Sequence, residues 1–386
     1  MSGSIPGGLL GGVPGGVPGG AALVSERWAR MAWSRIAEPE TVSVNNWITE
    51  HGAVESMQRL LAGSLARDGR YDQRIAALDL DQARRALDRL QVRVLIPSDE
   101  EWPLGLDQLD SPPICIYARG SFELSAAEGS VAIVGSRAAT HYGLNVAADL
   151  GEGLTQRGVA VVSGAAFGID AAAHRGALAG GGPTIAVLAR GLDRAYPQAH
   201  EGLLREIADN GVVISELPLG WAPYRARFIA RNRIIAAMSV GTVVVEAGLR
   251  SGSLNTAKHA RSLVRHVAAV PGPVTSVQSA GCHKLLRETE ATLVTDAAEV
   301  VDVMGRLGLD AVGLARAPVT PESELDTVAR SVWSAVPVRT PADLAKLQRL
   351  TALDTRTLLS VLGQLTMLGL VVRVGERWRK VPISRG

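Results

Sequence analysis

The sequence predicts an α/β protein with an extended Rossmann-like, doubly wound parallel sheet, an N-terminal helical domain and a C-terminal winged-helix domain. Two short apolar runs, Val131–Val134 and Val159–Val162, each end in a turn of Gly and Ser, which is typical of strands buried on both faces. The amphipathic segment Leu144–Gln156 lies between them and completes a βαβ unit, so these strands are predicted to be parallel. In such sheets ligands bind at the carboxyl ends of the strands, and we expect the functional site at that edge.

The N-terminal segment 1–21 is rich in Gly and Pro, and the sequence GGVP recurs in it. This composition buries too little apolar surface to offset the entropy of ordering, so a flexible tail is predicted. Residues 22–91 are predicted to form the helical domain, because apolar side chains recur there at three- and four-residue spacing over Ala22–Ile36, Ser56–Leu65 and Asp81–Leu90. Asp81 is the predicted cap of the last helix. The residues leave open whether this domain contacts DNA or a partner.

The central domain is predicted to cover residues 92–309. Its first two strand-like runs, Val92–Pro97 and Ile114–Ala118, are expected to add edge strands to the main sheet. Strands then alternate with helical stretches, which favours a doubly wound arrangement. The further strands and the last helix of this domain are predicted at Thr184–Ala189, Val212–Leu217, Thr242–Ala247, His266–Val270, Thr292–Thr295 and Ala297–Leu307.

A linker is predicted at 310–323, and residues 324–386 form the last domain. One helix is expected over Glu324–Val336. A second begins at Thr340-Pro341-Ala342-Asp343, with a capping residue and Pro at the first helical position, and a third covers Asp354–Leu368. Leu370–Val374 and Trp378–Val381 are expected to pair as a hairpin. Three helices followed by a hairpin is the winged-helix order.

The composition limits the class of protein. The net charge is only +2, so a nucleic-acid surface must be local. Cys115 and Cys282 are the two cysteines, which excludes a disulfide framework and a Cys-based zinc site and fits a reducing compartment. No apolar run approaches the roughly 18 residues of a membrane span, and the N-terminus lacks the pattern of a signal peptide. We therefore expect a cytoplasmic protein that has no contact with a membrane.

Three turns of small residues indicate anion binding at the ligand edge of the sheet. In each turn Gly lets backbone N–H groups approach a phosphate closely. Three such turns on one edge suggest several phosphates, as in a polynucleotide. The turns contain Gly135, Ser136 and Arg137; Ser163, Gly164 and Phe167; and Ser251, Gly252, Ser253 and Thr256. Neither G-x-G-x-x-G nor G-x-x-x-x-G-K-[ST] occurs, so no nucleotide cofactor is predicted.

A cluster of arginines is a further candidate for DNA binding. The segment Tyr224–Arg233 holds four of them and no acidic residue. Arg pairs with phosphate in a bidentate manner, and an aromatic side chain in a basic groove offers a platform for stacking a base. The predicted DNA-binding residues of this segment are Arg227, Phe228, Arg231, Asn232 and Arg233. The alternative is a solvated helix start with Phe228 in the core.

The candidate catalytic groups are poor. Asp170 and His174 lie four residues apart and share a helix face, but His174 is expected to serve packing. Glu246 ends a strand at the ligand edge and is a possible base, although a structural role, in which it accepts hydrogen bonds from Arg231 or Arg233 or caps the next loop, is favoured. Cys282 has only His283 as a nearby base. We expect neither a catalytic residue nor a metal ligand.

The chain resembles the DNA-processing protein A (DprA, also called Smf) family. The resemblance covers most of residues 95–300. Its motifs are VAIVGSR (131–137), VVSGAAFGIDAAAH (161–174), GLDRAYP (191–197), ISELP (214–218), RFIARNRIIAAMS (227–239), VVVEAGLRSGSLNTA (243–257) and VAAVPGP (267–273). Three positions depart from the family pattern: Ile229 stands for Pro, His283 for Asn and Glu290 for Gly.

The resemblance implies a protein without enzymatic activity that binds single-stranded DNA, helps load the RecA recombinase in recombination and natural transformation, and acts as a homodimer. It implies that Arg137, Ser163, Gly164, Phe167, Phe228, Arg231, Asn232 and Arg233 line the DNA pocket and that Ser251, Gly252, Ser253 and Thr256 shape its floor. Two alternatives remain. A nucleotide phosphoribohydrolase would use a PGG-x-GT-x-x-E loop, of which Gly241, Thr242 and Glu246 alone are present. Duplex recognition by the winged helix is disfavoured because its third helix carries a single basic residue, Arg356.

Overall fold

The computed structural model describes residues 25–65, 69, 71–304 and 325–381, apart from 339 and 352. Two compact units divide the chain at residues 1–311 and 312–386. The predicted tail 1–21 and the predicted linker 310–323 lie outside the described residues. The predicted domain boundaries themselves remain predictions.

A nine-stranded, mostly parallel sheet forms the centre of the first unit. Its strands are β1 (Arg93–Leu95), β2 (Ile116–Gly120), β3 (Val131–Val134), β4 (Val161–Ser163), β5 (Thr184–Leu188), β6 (Val212–Ser215), β7 (Gly241–Val244), β8 (His266–Ala269) and β9 (Thr292–Leu293). They lie in the order β1-β2-β6-β5-β4-β3-β7-β8-β9. The pairs β1–β2 and β2–β6 are antiparallel and the others are parallel. The predicted mixed α/β architecture is therefore confirmed.

Helices cover both faces of this sheet, which explains why its central strands are apolar throughout. Every residue of β3, β5, β6 and β7 is buried. The helices of the first unit are α1 (Glu26–Ile36), α2 (Val42–Leu61), α3 (Asp72–Ala76), α4 (Leu80–Leu90), α5 (His141–Thr155), α6 (Ile169–Ala179), α7 (Glu201–Asn210), α8 (Arg225–Ala237), α9 (Ser253–Ser262), α10 (Ala280–Glu288) and α11 (Ala297–Met304). The second predicted central strand begins at Val161 rather than Val159, and the strand predicted at Thr292–Thr295 ends at Leu293.

The order of the strands creates a crevice in the sheet. From β3 the chain proceeds outward through β4, β5 and β6, and α8 then returns it to the opposite side of β3, where β7 begins. Loops on the two sides of such a switch point diverge, so a crevice opens between them at the carboxyl ends of the strands. Here the loops after β3 and β7 form its sides.

The N-terminal helices pack against the sheet and share one hydrophobic core with it. This core joins Trp33 and Met57 to Tyr117 and Leu188. The prediction that Asp81 caps α4 is wrong. Asp79 is the cap, and its carboxylate accepts a hydrogen bond of 2.7 Å from the backbone N–H of Gln82. Asp81 instead lies in the first turn of α4, where its charge favours the helix dipole.

The second unit has a hydrophobic core of its own, which includes Leu347, Leu362 and Trp378. Its elements are α12 (Thr327–Ala335), β10 (Ala342–Asp343), α13 (Leu344–Thr351), α14 (Thr355–Met367), β11 (Val371–Val374) and β12 (Arg377–Lys380). The strands lie in the order β10-β12-β11. The predicted helix start at Thr340-Pro341 is wrong, because Ala342 and Asp343 pair with β12 before α13 begins.

No helix in the described part of the chain is both long and apolar enough to cross a bilayer.

Candidate nucleic-acid interface

A cleft of about 1300 Å³ opens at the carboxyl edge of the sheet, at the switch point between β3 and β7. The turn after β3, the first turns of α8, the loop between β7 and α9 and the segment after β8 form its walls. All of these elements belong to the first unit. The sequence predicted that the functional site would lie at this edge of the sheet, and the cleft has about twice the volume of the cavity of about 610 Å³ beside Tyr196.

The turn after β3 places a cation at the mouth of the cleft. Arg137 is exposed, and its guanidinium carbon lies 4.8 Å from the centre of the Phe228 ring. Gly135 begins this turn under Ile169, and a side chain at Gly135 would collide with Ile169 and with the backbone oxygen of Glu246. The turn can therefore carry Arg137 into the cleft only because residue 135 has no side chain.

Helix α8 presents one face to the cleft. Arg225, Phe228, Ile229 and Asn232 line it at helical spacing, and Phe228 is half-buried. The planar guanidinium of Arg137 thus lies over the aromatic ring of Phe228 in the cleft. This arrangement can bind a phosphate and stack a base at neighbouring positions.

Other aromatic residues extend the wall beyond Phe228. The rings of Tyr196 and Phe228 lie 5.6 Å apart, and those of Phe167 and His200 lie 4.7 Å apart. Phe167 and Tyr196 are 48% and 39% exposed, so both are accessible to a ligand. A small cavity joins these residues to the cleft, since Gly164, Phe167 and Tyr196 line it together with Arg137 and Phe228.

The floor of the cleft contains a buried arginine close to a buried carboxyl group. Arg231 is 6% exposed and donates from Nη1 to the backbone oxygen of Val187 at 2.9 Å. Burial lowers the pKa of Arg231 to about 10, while the charge of Asp170 opposes this shift. Burial raises the pKa of Asp170, while the charge of Arg231 and a backbone N–H oppose that shift. Arg231 thus remains a cation at neutral pH and contributes a positive potential from beneath the cleft.

The loop between β7 and α9 forms the opposite wall. The Ser251 and Ser253 hydroxyls lie 2.7 Å apart, and the Asn232 amide donates to the backbone oxygen of Gly252 at 3.2 Å. Gly252 is the N-cap of α9, whose positive dipole end faces the cleft. Arg250 is exposed and also lines this wall.

The structure gathers most of the predicted residues at one site. Those that line the cleft are Gly135, Ser136, Arg137, Phe228, Arg231, Asn232, Ser251, Gly252, Ser253 and Thr256. Gly164 and Phe167 line the adjoining small cavity. Arg225, Arg250 and Tyr196 were not among the predicted site residues. The charge of the two arginines was the available signal. Tyr196 lies in the motif GLDRAYP, but its approach to Phe228 depends on the fold.

Three of the predicted residues point away from the cleft. The hydroxyl of Ser163 is buried and donates to the backbone oxygen of Ile133 at 2.6 Å. Arg227 pairs with Glu38 at 2.9 Å, and Arg233 pairs with Glu216 at 2.7 Å. The prediction that these residues line the pocket is wrong. Arg227 and Arg233 lie away from the cleft because a helix distributes four arginines over more than one face, and the Ser163 side chain bonds to the neighbouring strand β3.

The candidate catalytic groups have structural roles. The carboxylate of Glu246 accepts hydrogen bonds from the backbone N–H of Thr140 at 2.9 Å and from its hydroxyl at 2.6 Å, so it binds neither Arg231 nor Arg233. His174 bonds to Thr184 at 2.7 Å through Nδ1. Burial lowers the pKa of His174 to about 3 and raises the pKa of the Cys282 thiol to about 12. His174 is therefore neutral and Cys282 is a thiol at physiological pH.

Comparison with known proteins gives consistent matches. A family model described as DNA recombination-mediator protein A matches residues 93–305. The putative DNA processing protein DprA of Mycobacterium tuberculosis is 42% identical over 377 residues, which are 93% of this chain and 95% of that protein.

Two solved structures share the fold. The X-ray structure of DNA processing protein A from Streptococcus pneumoniae superposes with a TM-score of 0.62 at 30% identity and covers 73% of this chain and 99% of the other. A structure of DNA processing protein A from Helicobacter pylori, described as having a unique single-stranded DNA binding mode, has a TM-score of 0.51 at 30% identity. It covers 55% of this chain and 95% of the other.

Proposed function

The chain belongs to the DNA recombination-mediator protein A family, as its motifs predicted, and we propose that it binds single-stranded DNA in the cleft between β3 and β7. The single observation that carries this proposal is the position of Arg137 over the ring of Phe228 at the mouth of the cleft. Proteins that bind single strands without sequence preference combine a basic groove for the phosphates with aromatic rings on which bases stack. Single-stranded DNA binding is described for the relative from H. pylori, which supports the same ligand here.

We further propose that the protein is a recombination mediator that helps load RecA onto single-stranded DNA, in natural transformation or in DNA processing. In this role it acts in the cytoplasm as a homodimer. The second unit would be a winged helix, since three helices and a hairpin follow one another there with a short first strand between α12 and α13. This order of elements supports the winged-helix assignment.

We also propose that the protein binds DNA without catalysing a reaction. The carboxylate of Glu246, which follows β7 at the ligand edge, accepts two hydrogen bonds from Thr140 and has a structural role there. A thiol with a pKa of about 12 is a poor nucleophile at neutral pH. These observations support binding over nucleotide hydrolysis.

The test is fluorescence anisotropy with a labelled oligothymidylate over a range of salt concentrations. Phe228→Ala should weaken binding by about 5- to 150-fold, the equivalent of the ~1–3 kcal/mol that stacking one base contributes. Arg137→Ala should weaken binding and also reduce the slope of log K against log salt by about 0.7, the value for one lost phosphate contact.

Arg261→Ala is the matched control. Arg261 is exposed in the last turn of α9, at the far end of the helix whose first turn lines the cleft. Its loss should change neither affinity nor slope appreciably. If the wild-type protein fails to bind the oligonucleotide at low salt, or if Arg137→Ala and Arg261→Ala behave alike, the cleft is not the DNA site, and nucleotide hydrolysis becomes the activity to assay.

A further inference from the structure

A second basic cavity lies on the other side of Tyr196 from the cleft. Its volume is about 610 Å³. It contains four guanidinium groups, and its apolar lining includes Leu188, Leu204 and Val213. We call this cavity the arginine pocket. Its four arginines are Arg119, Arg190, Arg194 and Arg205. None of them lines the cleft, and none was among the predicted DNA-binding residues, although Arg194 lies in the motif GLDRAYP.

The positive charge of the arginine pocket is poorly compensated by its own acids. Asp193 and Glu201 are the acidic residues that line it. Asp193 accepts a hydrogen bond of 2.8 Å from the backbone N–H of Gly220 and lies 4.0 Å from Arg194. Glu201 pairs with Arg205 in an exposed contact of 3.2 Å, which solvent screens strongly. Four cations against two acids leave an excess of two positive charges in one concave surface.

Two of the arginines have unused hydrogen-bonding capacity. Arg119 is exposed and has no ion-pair partner among the described residues. The Nε of Arg190 is buried, and no hydrogen-bond acceptor in the described part of the chain reaches it. A buried donor without a partner costs free energy, and reorientation of the Arg190 side chain toward an anion in the cavity would recover it. The arrangement therefore favours an anion with several oxygen atoms, such as a phosphate ester.

The small cavity lies between the arginine pocket and the cleft. The small cavity shares Arg137 and Phe228 with the cleft, and it shares Leu188 and Tyr196 with the arginine pocket. Tyr196 therefore stands between the two basic sites with its ring against Phe228 at 5.6 Å. A strand that stacks on Phe228 and then on Tyr196 would bring its next phosphates to the arginine pocket.

We propose that the arginine pocket is a second phosphate-binding site, which holds phosphodiesters of the same strand that fills the cleft. This proposal rests on the proposed function, since the strand must first occupy the cleft. A free nucleotide carries the same phosphate chemistry, so the experiment has a separate arm for it.

The test compares the full-length protein with the double variant Arg119→Ala/Arg194→Ala. Oligothymidylates of about 6 and about 20 nucleotides are titrated at several salt concentrations, because site sizes of stacking modules range over ~4–16 nucleotides. The wild-type salt slope should be steeper for the longer strand. In the variant the slope for the longer strand should fall by about 0.7 for each lost phosphate contact, and affinity should fall more for the longer strand than for the shorter one.

The control is Arg261→Ala/Arg287→Ala, which removes the same charge from exposed positions at the C-terminal ends of α9 and α10. Equal slopes for wild type, variant and control with the longer strand would overturn the proposal while leaving the cleft assignment intact. Failure of the wild-type protein to bind either strand would instead overturn the proposed function. In the second arm both proteins are titrated with dTMP. If dTMP saturates wild type but not the variant, and the salt slopes for the oligonucleotides are equal, the arginine pocket binds a free nucleotide. That result would overturn the proposal that the pocket and the cleft bind one DNA strand.

Discussion

At the scale of single residues, Gly164 and Arg231 show how the cleft floor is built. The guanidinium of Arg231 lies directly over Gly164, and a Cβ on Gly164 would overlap it. The same guanidinium donates to the backbone oxygen of Val187 and interacts with the charge of Asp170. The absence of a side chain at 164 is therefore a condition for placing a buried cation under the cleft.

Gly164→Ala should displace Arg231 and destabilise the protein by about 1–3 kcal/mol, the usual cost of overpacking a buried site. It should also weaken binding of single-stranded DNA, because the cation beneath the cleft moves. Thermal unfolding and anisotropy with the same oligonucleotide measure the two effects.

Gly202→Ala is the control for Gly164→Ala. Gly202 lies in α7, and a Cβ there would meet no atom within 4 Å. Replacement of Gly by Ala in a helix should be neutral or stabilising at that position. Equal melting temperatures and equal affinities for the two variants would show that Arg231 does not need the space above Gly164.

The sequence predicted single site residues well where the backbone fixes their direction. Turns that follow parallel strands end at the ligand edge whatever their side chains are, so Gly135, Ser136 and Arg137 were placed correctly. Within α8 the direction of a side chain depends on which helix face is buried. An arginine-rich segment has little apolar pattern to reveal that face, and this is why Arg227 and Arg233 were misassigned.

At the scale of elements, the loop after α1 holds helix α8 in position. Glu38 accepts hydrogen bonds from Arg227 at 2.9 and 3.0 Å and from the Tyr224 hydroxyl at 2.8 Å. Glu40 lies 3.5 Å from Arg233. The misassigned arginines thus anchor α8 away from its cleft face, which Phe228 and its neighbours occupy.

Glu38→Gln should destabilise the protein by about 1–3 kcal/mol at neutral pH, since it leaves the nearly buried Arg227 without its counter-ion. Burial raises the pKa of Glu38, but the hydrogen bonds from Arg227, Tyr224 and Arg74 outweigh this effect and leave the pKa lowered. Because the pKa of Glu38 is lower in the folded than in the unfolded state, its ionised form stabilises the protein. This contribution is fully present above the unfolded-state pKa and is lost as the pH falls through the folded-state pKa. The melting temperatures of wild type and Glu38→Gln should therefore begin to converge as the pH falls below ~4.3, the ordinary pKa of Glu, and meet below the lowered pKa of folded Glu38.

Glu55→Gln serves as the comparison for Glu38→Gln, since Glu55 forms an exposed i,i+4 pair with Arg59. Its loss should alter stability by no more than about 0.5 kcal/mol. A difference between Glu38→Gln and wild type that persists unchanged at acid pH would argue against the ion pair as the source of the stabilisation.

Elements were predictable from sequence where apolar runs or helical spacing extend over several residues, as in β3 or α5. Short elements that depend on a distant partner were not. Ala342–Asp343 is a strand only because Trp378 and Arg377 lie opposite, and a capping pattern at Thr340-Pro341 pointed to a helix instead. The antiparallel direction of β2 likewise depends on its pairing with β6.

At the scale of the whole molecule, every residue of the cleft and of the arginine pocket belongs to the first unit. The second unit has its own core of buried apolar residues, which includes Ala329, Leu358 and Val371. Two cores that share no residue favour independent folding.

A chain truncated after Ala311 should fold and bind oligothymidylate with an affinity within about threefold of the full-length value, or ~0.6 kcal/mol. The check is circular dichroism for folding and anisotropy for binding, at the same salt concentration. A well-folded truncated chain that loses most of its affinity would show that the second unit contributes directly to binding the strand.

The edges of the central sheet matter for a protein that would gather in many copies on one polynucleotide. Its outermost strands are β1, of three residues, and β9, of two. A long free edge would offer unpaired backbone groups to the next copy, and crowding on DNA would then promote fusion of sheets and aggregation. Short edge strands limit that route for copies that the proposed binding to one DNA strand would bring together.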